Sequence, residues 1–235
     1  MHKILKIKAK SQNLIQMKII SFGDIHEDLN SLMLLKNELE SADLVIVTGD
    51  LTNNNGRKEA ERVIEEIMNY NENVLAQLGN MDQPEVNDYL TEKGINLHRN
   101  SFIIDDVGVF GVGGSNETPF NTPTEFSEEE IETFLLDGID KVKDTTYKIM
   151  VPHMPPINTK LDIISAGVHV GSQSVRNFIL KHKPDIALSG HIHEARGSDA
   201  IENTLAFNAG MFREGGYVVI TKTPEGLSAE LKVLS

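Results

Sequence analysis

The chain is organised around the stretch SFGDIH at residues 21–26, which follows the apolar residues Ile19 and Ile20. Alternate side chains of an extended strand point to the same face, so Asp24 and His26 would point in one direction. A carboxylate oxygen and an imidazole nitrogen aimed at one spot suit half of a transition-metal site. The same triplet also fits an ordinary solvated turn after a core strand, so the rest of the chain has to separate these alternatives.

The composition is that of a globular protein without thiol chemistry. The 235 residues are 40% hydrophobic and 24% charged, and none is cysteine, which excludes disulfides, thiolate metal sites and cysteine nucleophiles. The formal net charge of -13 repels nucleic-acid phosphates and anionic membranes unless bound cations reverse the field locally. No apolar run approaches the length of a membrane span, and we expect a cytoplasmic protein.

The length is compatible with one large domain or two small ones, and we expect a single domain over residues 17–235. The segment MKII at residues 17–20 resembles a chain start that runs directly into the first strand. Residues 1–16 are therefore either an additional edge strand or an artefact of the assigned start. The sequence leaves both alternatives open.

Three strand-to-helix units follow one another before residue 94. Their strands end near Asp24, Asp50 and Asn80, each directly after a glycine, and the apolar spacing predicts helices at about 29–39, at about 57–70 and from Pro84 onward. Successive units of this kind give right-handed crossovers and a parallel sheet. Ligands bind at the carboxyl ends of such strands, so we expect these polar residues and His26 to converge there.

The pattern changes after Gly94 to short paired strands. A hairpin is predicted over residues 101–110 and a long loop over residues 111–124. Ser127 and Glu130 form a predicted capping box that begins the next helix.

Two further predicted strands also have candidate site residues, here histidines, directly after their carboxyl ends. The apolar run before His153 is one such strand, and the run before His191 and His193 is another. The last apolar runs, at about 204–207, 217–221 and 228–233, are typical of strands of a second sheet.

Seven polar residues therefore stand at predicted strand ends: Asp24, His26, Asp50, Asn80, His153, His191 and His193. A single histidine is more often structural than a ligand. Four of the chain's eight histidines alternate here with Asp and Asn at one expected edge, which favours a shared site. Oxygen and nitrogen ligands without sulfur suit manganese, iron, nickel, cobalt or zinc.

In this order the motifs resemble those of the calcineurin-like metallophosphoesterase family. They are Gly-Asp-x-His at 23–26, Gly-Asp at 49–50, Gly-Asn-x-Asp at 79–82, His153 alone, and Gly-His-x-His at 190–193. The resemblance implies an α/β fold, a four-layer α-β-β-α sandwich of two mixed sheets flanked by helices. It also implies two divalent metal ions, one held by Asp24, His26, Asp50 and His193 and the other by Asp50, Asn80, His153 and His191.

The activity implied by the resemblance is metal-dependent hydrolysis of small phosphoesters by a hydroxide that bridges the metals, with Asp50 and Asn80 in catalysis and Asn80 at the substrate. Residues 111–116 and 190–197 resemble small prokaryotic phosphoesterases related to the cyclic-nucleotide phosphodiesterase branch, so phosphodiesters are favoured. A phosphomonoesterase, a nuclease and a non-catalytic protein-interaction module on the same fold remain alternatives. No basic stripe supports binding of long nucleic acid, nothing indicates a membrane partner, and the oligomeric state is not evident.

One position departs from the family pattern. Met81 stands where the family carries the histidine implied to contact the phosphate and to protonate the leaving group, and methionine has no proton to donate. Asp82, which would orient that histidine, is then expected to do no more than cap the following helix. His169 lies in a glycine-flanked loop and is a candidate substrate-binding residue and substitute acid, although a solvent-exposed loop histidine is the alternative.

Overall fold

The computed structural model describes residues 16–234, so the predicted extension lies outside the described residues except for Gln16. The helices are α1 (Asn30–Ser41), α2 (Arg57–Tyr70), α3 (Pro84–Lys93), α4 (Glu128–Lys141) and α5 (Gln173–His182). The strands are β1 (Met17–Phe22), β2 (Leu44–Val47), β3 (Val74–Ala76), β4 (Asn100–Ile104), β5 (Val107–Val112), β6 (Ser115–Asn116), β7 (Glu125–Phe126), β8 (Tyr147–Pro152), β9 (Ile186–Ser189), β10 (Gly197–Ile201), β11 (Thr204–Asn208), β12 (Gly216–Thr223) and β13 (Gly226–Val233).

Two large mixed sheets form the centre of the fold. The first has the order β13-β12-β1-β2-β3, and its β1, β2 and β3 are parallel as predicted. The second has the order β10-β11-β9-β8-β5-β4, in which β5, β8, β9 and β11 are parallel. The carboxyl ends of β1, β2, β3, β8 and β9 each lead into one of the predicted site motifs.

Side-chain alternation explains why the two sheets stack. In β1, Ile19 joins an apolar cluster between the sheets, whereas its neighbour Ile20 joins the cluster beneath the outer helices. In β8, Ile149 faces the space between the sheets and Met150 faces the other way. Successive side chains of a strand point to opposite faces of its sheet. Both sets of apolar side chains can be buried only if another layer packs against each face.

The helices supply those outer covers. The outer cluster of the first sheet includes buried residues of α1, α2 and α3, and that of the second sheet includes residues of α4 and α5. The predicted four-layer α-β-β-α sandwich is therefore confirmed. No helix within residues 16–234 combines the length and the apolar character that crossing a bilayer requires.

The C-terminal strands correct one sequence prediction. Of the three runs assigned to a second sheet, only β11 lies there. Strands β12 and β13 extend the first sheet, where β12 pairs antiparallel with β1 in a register that places Ile19 opposite Ile220. Apolar alternation suits either sheet equally, so local pattern does not identify the pairing partner.

The segment predicted as a loop over 111–124 is also more regular than expected. Strand β5 continues to Val112, and β6 pairs in parallel with β7. Backbone hydrogen bonds from Gly114 to Leu78 and from Thr124 to Asn80 attach this segment to the end of β3. The capping box of α4 is confirmed, because Ser127 and Glu130 exchange both side-chain to backbone bonds.

Candidate metal centre

The predicted site residues meet where the carboxyl ends of the two sheets come together. The first sheet contributes Asp24 and His26 after β1, Asp50 after β2 and Asn80 after β3, and the second contributes His153 after β8 and His191 and His193 after β9. One ligand atom each from Asp24, His26, Asp50 and His193 lies within 4.8 Å of the others. Asp24, His26 and Asp50, which the sheet topology was expected to bring together, thus lie in one group with His193.

Short distances between ligand atoms define the first group. The Nε2 atoms of His26 and His193 are 3.2 Å apart. His193 Nε2 lies 3.1 Å from Asp24 Oδ1, and His26 Nε2 lies 3.7 Å from Asp50 Oδ2. Two imidazole nitrogens and two carboxylates therefore surround one point.

A second group shares Asp50 with the first. His153 Nε2 lies 3.5 Å from Asp50 Oδ2 and 3.2 Å from Asn80 Oδ1. His191 Nδ1 lies 2.7 Å from the same Asn80 oxygen. Because Asp50 Oδ2 faces His26 on one side and His153 on the other, this carboxylate is the link between the two groups.

The turns after the strands place the backbone close behind these side chains. Four of the candidate ligands have positive φ angles, namely Asp24 (51°), His26 (48°), Asp50 (51°) and His191 (67°). Residues other than glycine adopt this conformation at a cost, and such strain is concentrated at functional sites. An added Cβ at Gly79 would lie 2.0 Å from Asp50 Oδ1, which explains why glycine precedes the ligand motif there.

Backbone carbonyls fix the orientation of two imidazoles. The Nδ1 atom of His153 lies 3.1 Å from the carbonyl oxygen of Thr48, and that of His26 lies 3.3 Å from the carbonyl oxygen of Thr52. If each Nδ1–H donates to its carbonyl, each Nε2 keeps a free lone pair directed at the cluster. Metal-binding histidines in proteins are held in this way, so the donor set fits divalent ions.

Comparison with known proteins agrees with the motifs. A family model described as calcineurin-like phosphoesterase matches residues 17–195. The chain belongs to the calcineurin-like phosphoesterase family. Every candidate ligand lies within the matched residues, and membership supports a phosphoester hydrolase that uses divalent metal ions.

Individual proteins resemble this chain in sequence or in fold. An uncharacterized protein of Methanocaldococcus jannaschii is 37% identical over 196 residues, which cover 82% of this chain and 87% of that protein. A crystal structure from Thermus thermophilus superposes with a TM-score of 0.72 at 18% identity, covering 93% of this chain and 99% of the other. The purple acid phosphatase of yellow lupin seeds gives a TM-score of 0.59 at 14% identity, covering 93% of this chain and 51% of the other.

In this calcineurin-like site, positive charge on nearby groups stabilises the buried carboxylates. Burial raises the pKa of Asp50, but His153 and His26 outweigh it and hold that pKa at about 2. Burial disfavours charge on His153, yet Asp50 raises the pKa of this imidazole to about 9. Burial and the charge of His153 lower the pKa of His191 to about 4. Bound cations would displace the imidazole protons and take over the neutralising role.

Asp82 does not have the role predicted for it. The N-cap of α3 is Gln83, and no side chain caps this helix. Asp82 is instead fully buried and accepts hydrogen bonds from the backbone N–H groups of Leu51, Thr52 and Gly79. It therefore joins the turns after β2 and β3, a tertiary role that no local pattern indicates.

A cavity of about 1130 Å³ opens over the cluster. Its lining includes Asp50, Asn80, Met81, His191, His193 and His169, together with loop residues 116–123 and 164–166. His169 thus lines the same cavity as the cluster, although its catalytic role stays a prediction. The sequence analysis missed Asp162, whose carboxylate holds the His169 ring, because only the loop fold brings them together.

Proposed function

We propose that this protein is a binuclear metal-dependent phosphoesterase that acts on small phosphodiesters. The observation that carries the proposal is the pair of ligand groups joined by Asp50 at the floor of the cavity. Asp24, His26, Asp50 and His193 would hold one ion, and Asp50, Asn80, His153 and His191 the other. Manganese, iron, nickel, cobalt and zinc all accept this set of oxygen and nitrogen ligands.

When bound, two such ions supply an activated water nucleophile and neutralise charge on the phosphoryl oxygens. The chain itself orients the site through Asp50, which receives a backbone hydrogen bond from Met81 at 2.8 Å. Asn80 turns its Oδ1 toward His153 and His191, so its Nδ2 amide is the donor for a phosphoryl oxygen of the substrate.

The charge of the cavity favours diesters over monoesters. Among the described residues that line it, none is lysine or arginine, whereas Glu117 and Glu194 are present. A phosphomonoester carries more negative charge than a diester near neutral pH, and sites for phosphate groups usually add basic side chains to bind it. Apolar residues such as Pro119, Phe120 and Ile164 suit organic groups on the ester oxygens.

Two alternatives have less support. A nuclease for long nucleic acid would need a basic path, which the net charge of -13 argues against. A non-catalytic interaction module would not need a complete ligand set. Without a bound cation, the buried carboxylates and imidazoles of that set would lower the stability of the folded state.

The test is a panel assay on protein that has been stripped with a chelator and reloaded separately with manganese, nickel, cobalt or magnesium. The substrates are aryl diesters, cyclic nucleotides, dinucleotides and aryl monoesters. We expect metal-dependent turnover with diesters preferred to matched monoesters. Protein with verified metal content that hydrolyses none of them would contradict the proposal, and a preference for monoesters would contradict its diester part.

A further inference from the structure

A buried carboxylate and a cavity histidine form a pair outside the metal-ligand groups. The Nδ1 atom of His169 lies 2.7 Å from Oδ1 of Asp162. Asp162 is completely buried, whereas about a third of the His169 side chain is exposed, and this ring lines the cavity together with Asp50, Asn80 and Met81.

Asp162 is fixed rigidly enough to orient the ring. Its two carboxylate oxygens accept backbone hydrogen bonds from Asn158, Thr159 and Gly171 at 2.9–3.2 Å. The Thr159 hydroxyl donates to Oδ1 as well, at 3.3 Å. The loop that carries His169 therefore closes around this one carboxylate.

The pairing determines which ring nitrogen is available for chemistry. An ionised carboxylate accepts hydrogen bonds only, so Nδ1 of His169 must carry a proton and donate it to Asp162. The structure shows no hydrogen bond from Nε2 to any residue in the range 16–234, so this nitrogen is free for a ligand. The acid form of the ring is the one that carries a proton on Nε2 as well as on Nδ1.

We propose that His169 is the proton donor to the leaving group and that Asp162 is its positioning residue. This pair takes the place of the histidine that the chain lacks at Met81. The inference rests on the phosphoesterase function proposed above, and the experiment below separates the failure of one from the failure of the other.

In this reaction one bond to phosphorus forms, another breaks, and His169 supplies one proton. A bond forms between phosphorus and the oxygen of the attacking water, and the bond from phosphorus to the leaving oxygen breaks with its electron pair on that oxygen. Nε2 of His169 gives its proton to the leaving oxygen, which becomes an alcohol. The imidazole regains a proton from the solvent, which has received the proton lost by the attacking water.

Leaving-group dependence tests the donor role. We would measure kcat/KM for aryl phosphodiesters of graded leaving-group acidity with wild type, His169→Gln and the control Val168→Ala, an exposed neighbour in the same loop. Glutamine can still donate to Asp162 but is not a general acid. We expect His169→Gln to lose about 10²–10⁴-fold on the least acidic leaving groups and little on the most acidic, with wild-type behaviour in the control.

An equal loss for all leaving groups, or no loss, would overturn the inference while leaving the phosphoesterase proposal intact. If verified metal-loaded wild type hydrolyses no ester, both proposals fail.

A second readout does not depend on turnover. The protein is labelled with a nitrogen isotope at its histidines and loaded with zinc. Its nitrogen NMR spectrum shows which ring nitrogen carries the proton when an imidazole is neutral. We expect His169 to be protonated on Nδ1 in wild type and to shift toward Nε2 in Asp162→Asn, whose amide can donate to Nδ1. A neutral wild-type ring that carries its single proton on Nε2 would overturn the positioning role of Asp162, whatever the kinetics show.

Discussion

Asp50 is the residue on which the two ligand groups depend. It is 2% exposed, lies between His26 and His153, and accepts a hydrogen bond from the backbone of Met81. Its Oδ2 atom faces imidazole nitrogens of both groups, whereas the contact that Asp24 makes with the second group is to the backbone N–H of His191. Loss of its charge should therefore affect both metal positions at once.

We expect Asp50→Asn to abolish turnover and to reduce the bound metal, because an amide of the same size removes one negative charge from both positions. Activity and metal content would be measured on variants whose folding is verified by circular dichroism. Asp140→Asn, which changes an exposed carboxylate on α4, is the control. A folded Asp50→Asn protein that retains activity would rule out the two-metal arrangement.

His98 predicts a pH dependence of stability away from the metal groups. Its ring stacks on Phe126, and its Nδ1 accepts a hydrogen bond from the backbone N–H of Gly113 at 3.1 Å. Burial and the nearby charge of Arg99 lower the pKa of His98 to about 4, from an ordinary value of 6.5. The unfolded chain thus binds this proton at a higher pH than the folded protein does.

As the pH falls from about 6.5 to about 4, the free energy of unfolding should therefore decrease, by on the order of 2–3 kcal/mol from this group. His98→Asn removes the titration and should flatten that part of the curve. The measurement is the urea unfolding free energy of both proteins at several pH values. Parallel curves over this interval would show that His98 does not titrate as described.

At the scale of the element, the turns after the strands set the ligand positions. Gly190 follows β9, and an ideal Cβ there would lie 2.0 Å from Oδ2 of Asp24, which is fully buried. The nearest atoms to a Cβ at Gly197 are 3.8 Å away, an ordinary contact. The two glycines therefore form a matched pair for substitution.

We expect Gly190→Ala to destabilise the protein by about 1–3 kcal/mol through overpacking and to weaken metal binding by displacing Asp24. Gly197→Ala should change the free energy of unfolding by less than about 1 kcal/mol. Thermal unfolding and metal titration of both variants would check this. If the two alanine variants had the same thermal stability and the same metal affinity, the turn after β9 would be able to shift and accommodate the added Cβ. It would then not hold Asp24 in place.

At the scale of the whole molecule, the ligands tie the two sheets together. Asp24 and Asp50 follow strands of the first sheet, and His153 and His191 follow strands of the second. Metal ions bound by both sets would hold the sheets at their shared edge. The melting temperature should then depend on metal concentration, because only the native state assembles the site.

We expect removal of metal by a chelator to lower the melting temperature by several degrees, and added metal to restore it. Elemental analysis would verify the metal content, and Asp50→Asn would serve as the variant with a reduced response. An unchanged melting temperature after verified removal would show that metal binding and folding are not coupled.

The sequence alone determined the parallel units and the positions of the ligand motifs, and the resemblance of those motifs to the calcineurin-like family implied the sandwich class. Buried strands that each end in a glycine and a polar residue leave few options, because parallel strands bring their carboxyl ends to a common edge. This topology predicted that Asp24, His26, Asp50 and Asn80 would meet, whereas the family resemblance implied that His193 would join Asp24 and Asp50. The ends of elements moved by a few residues, as when α1 began at Asn30 and ended at Ser41, because fraying and capping set them locally.

Only the tertiary structure decided the pairing of β12 with β1, the role of Asp82 and the contact between Asp162 and His169. The first two depend on segments that meet through folding of the whole chain, and the third, between residues seven positions apart, depends on the conformation of one loop. An alternating strand or a loop carboxylate has no local feature that identifies its partner. Strand pairing is selected by the free energy of packing both faces, and a buried carboxylate is placed wherever enough N–H donors converge to compensate its lost hydration.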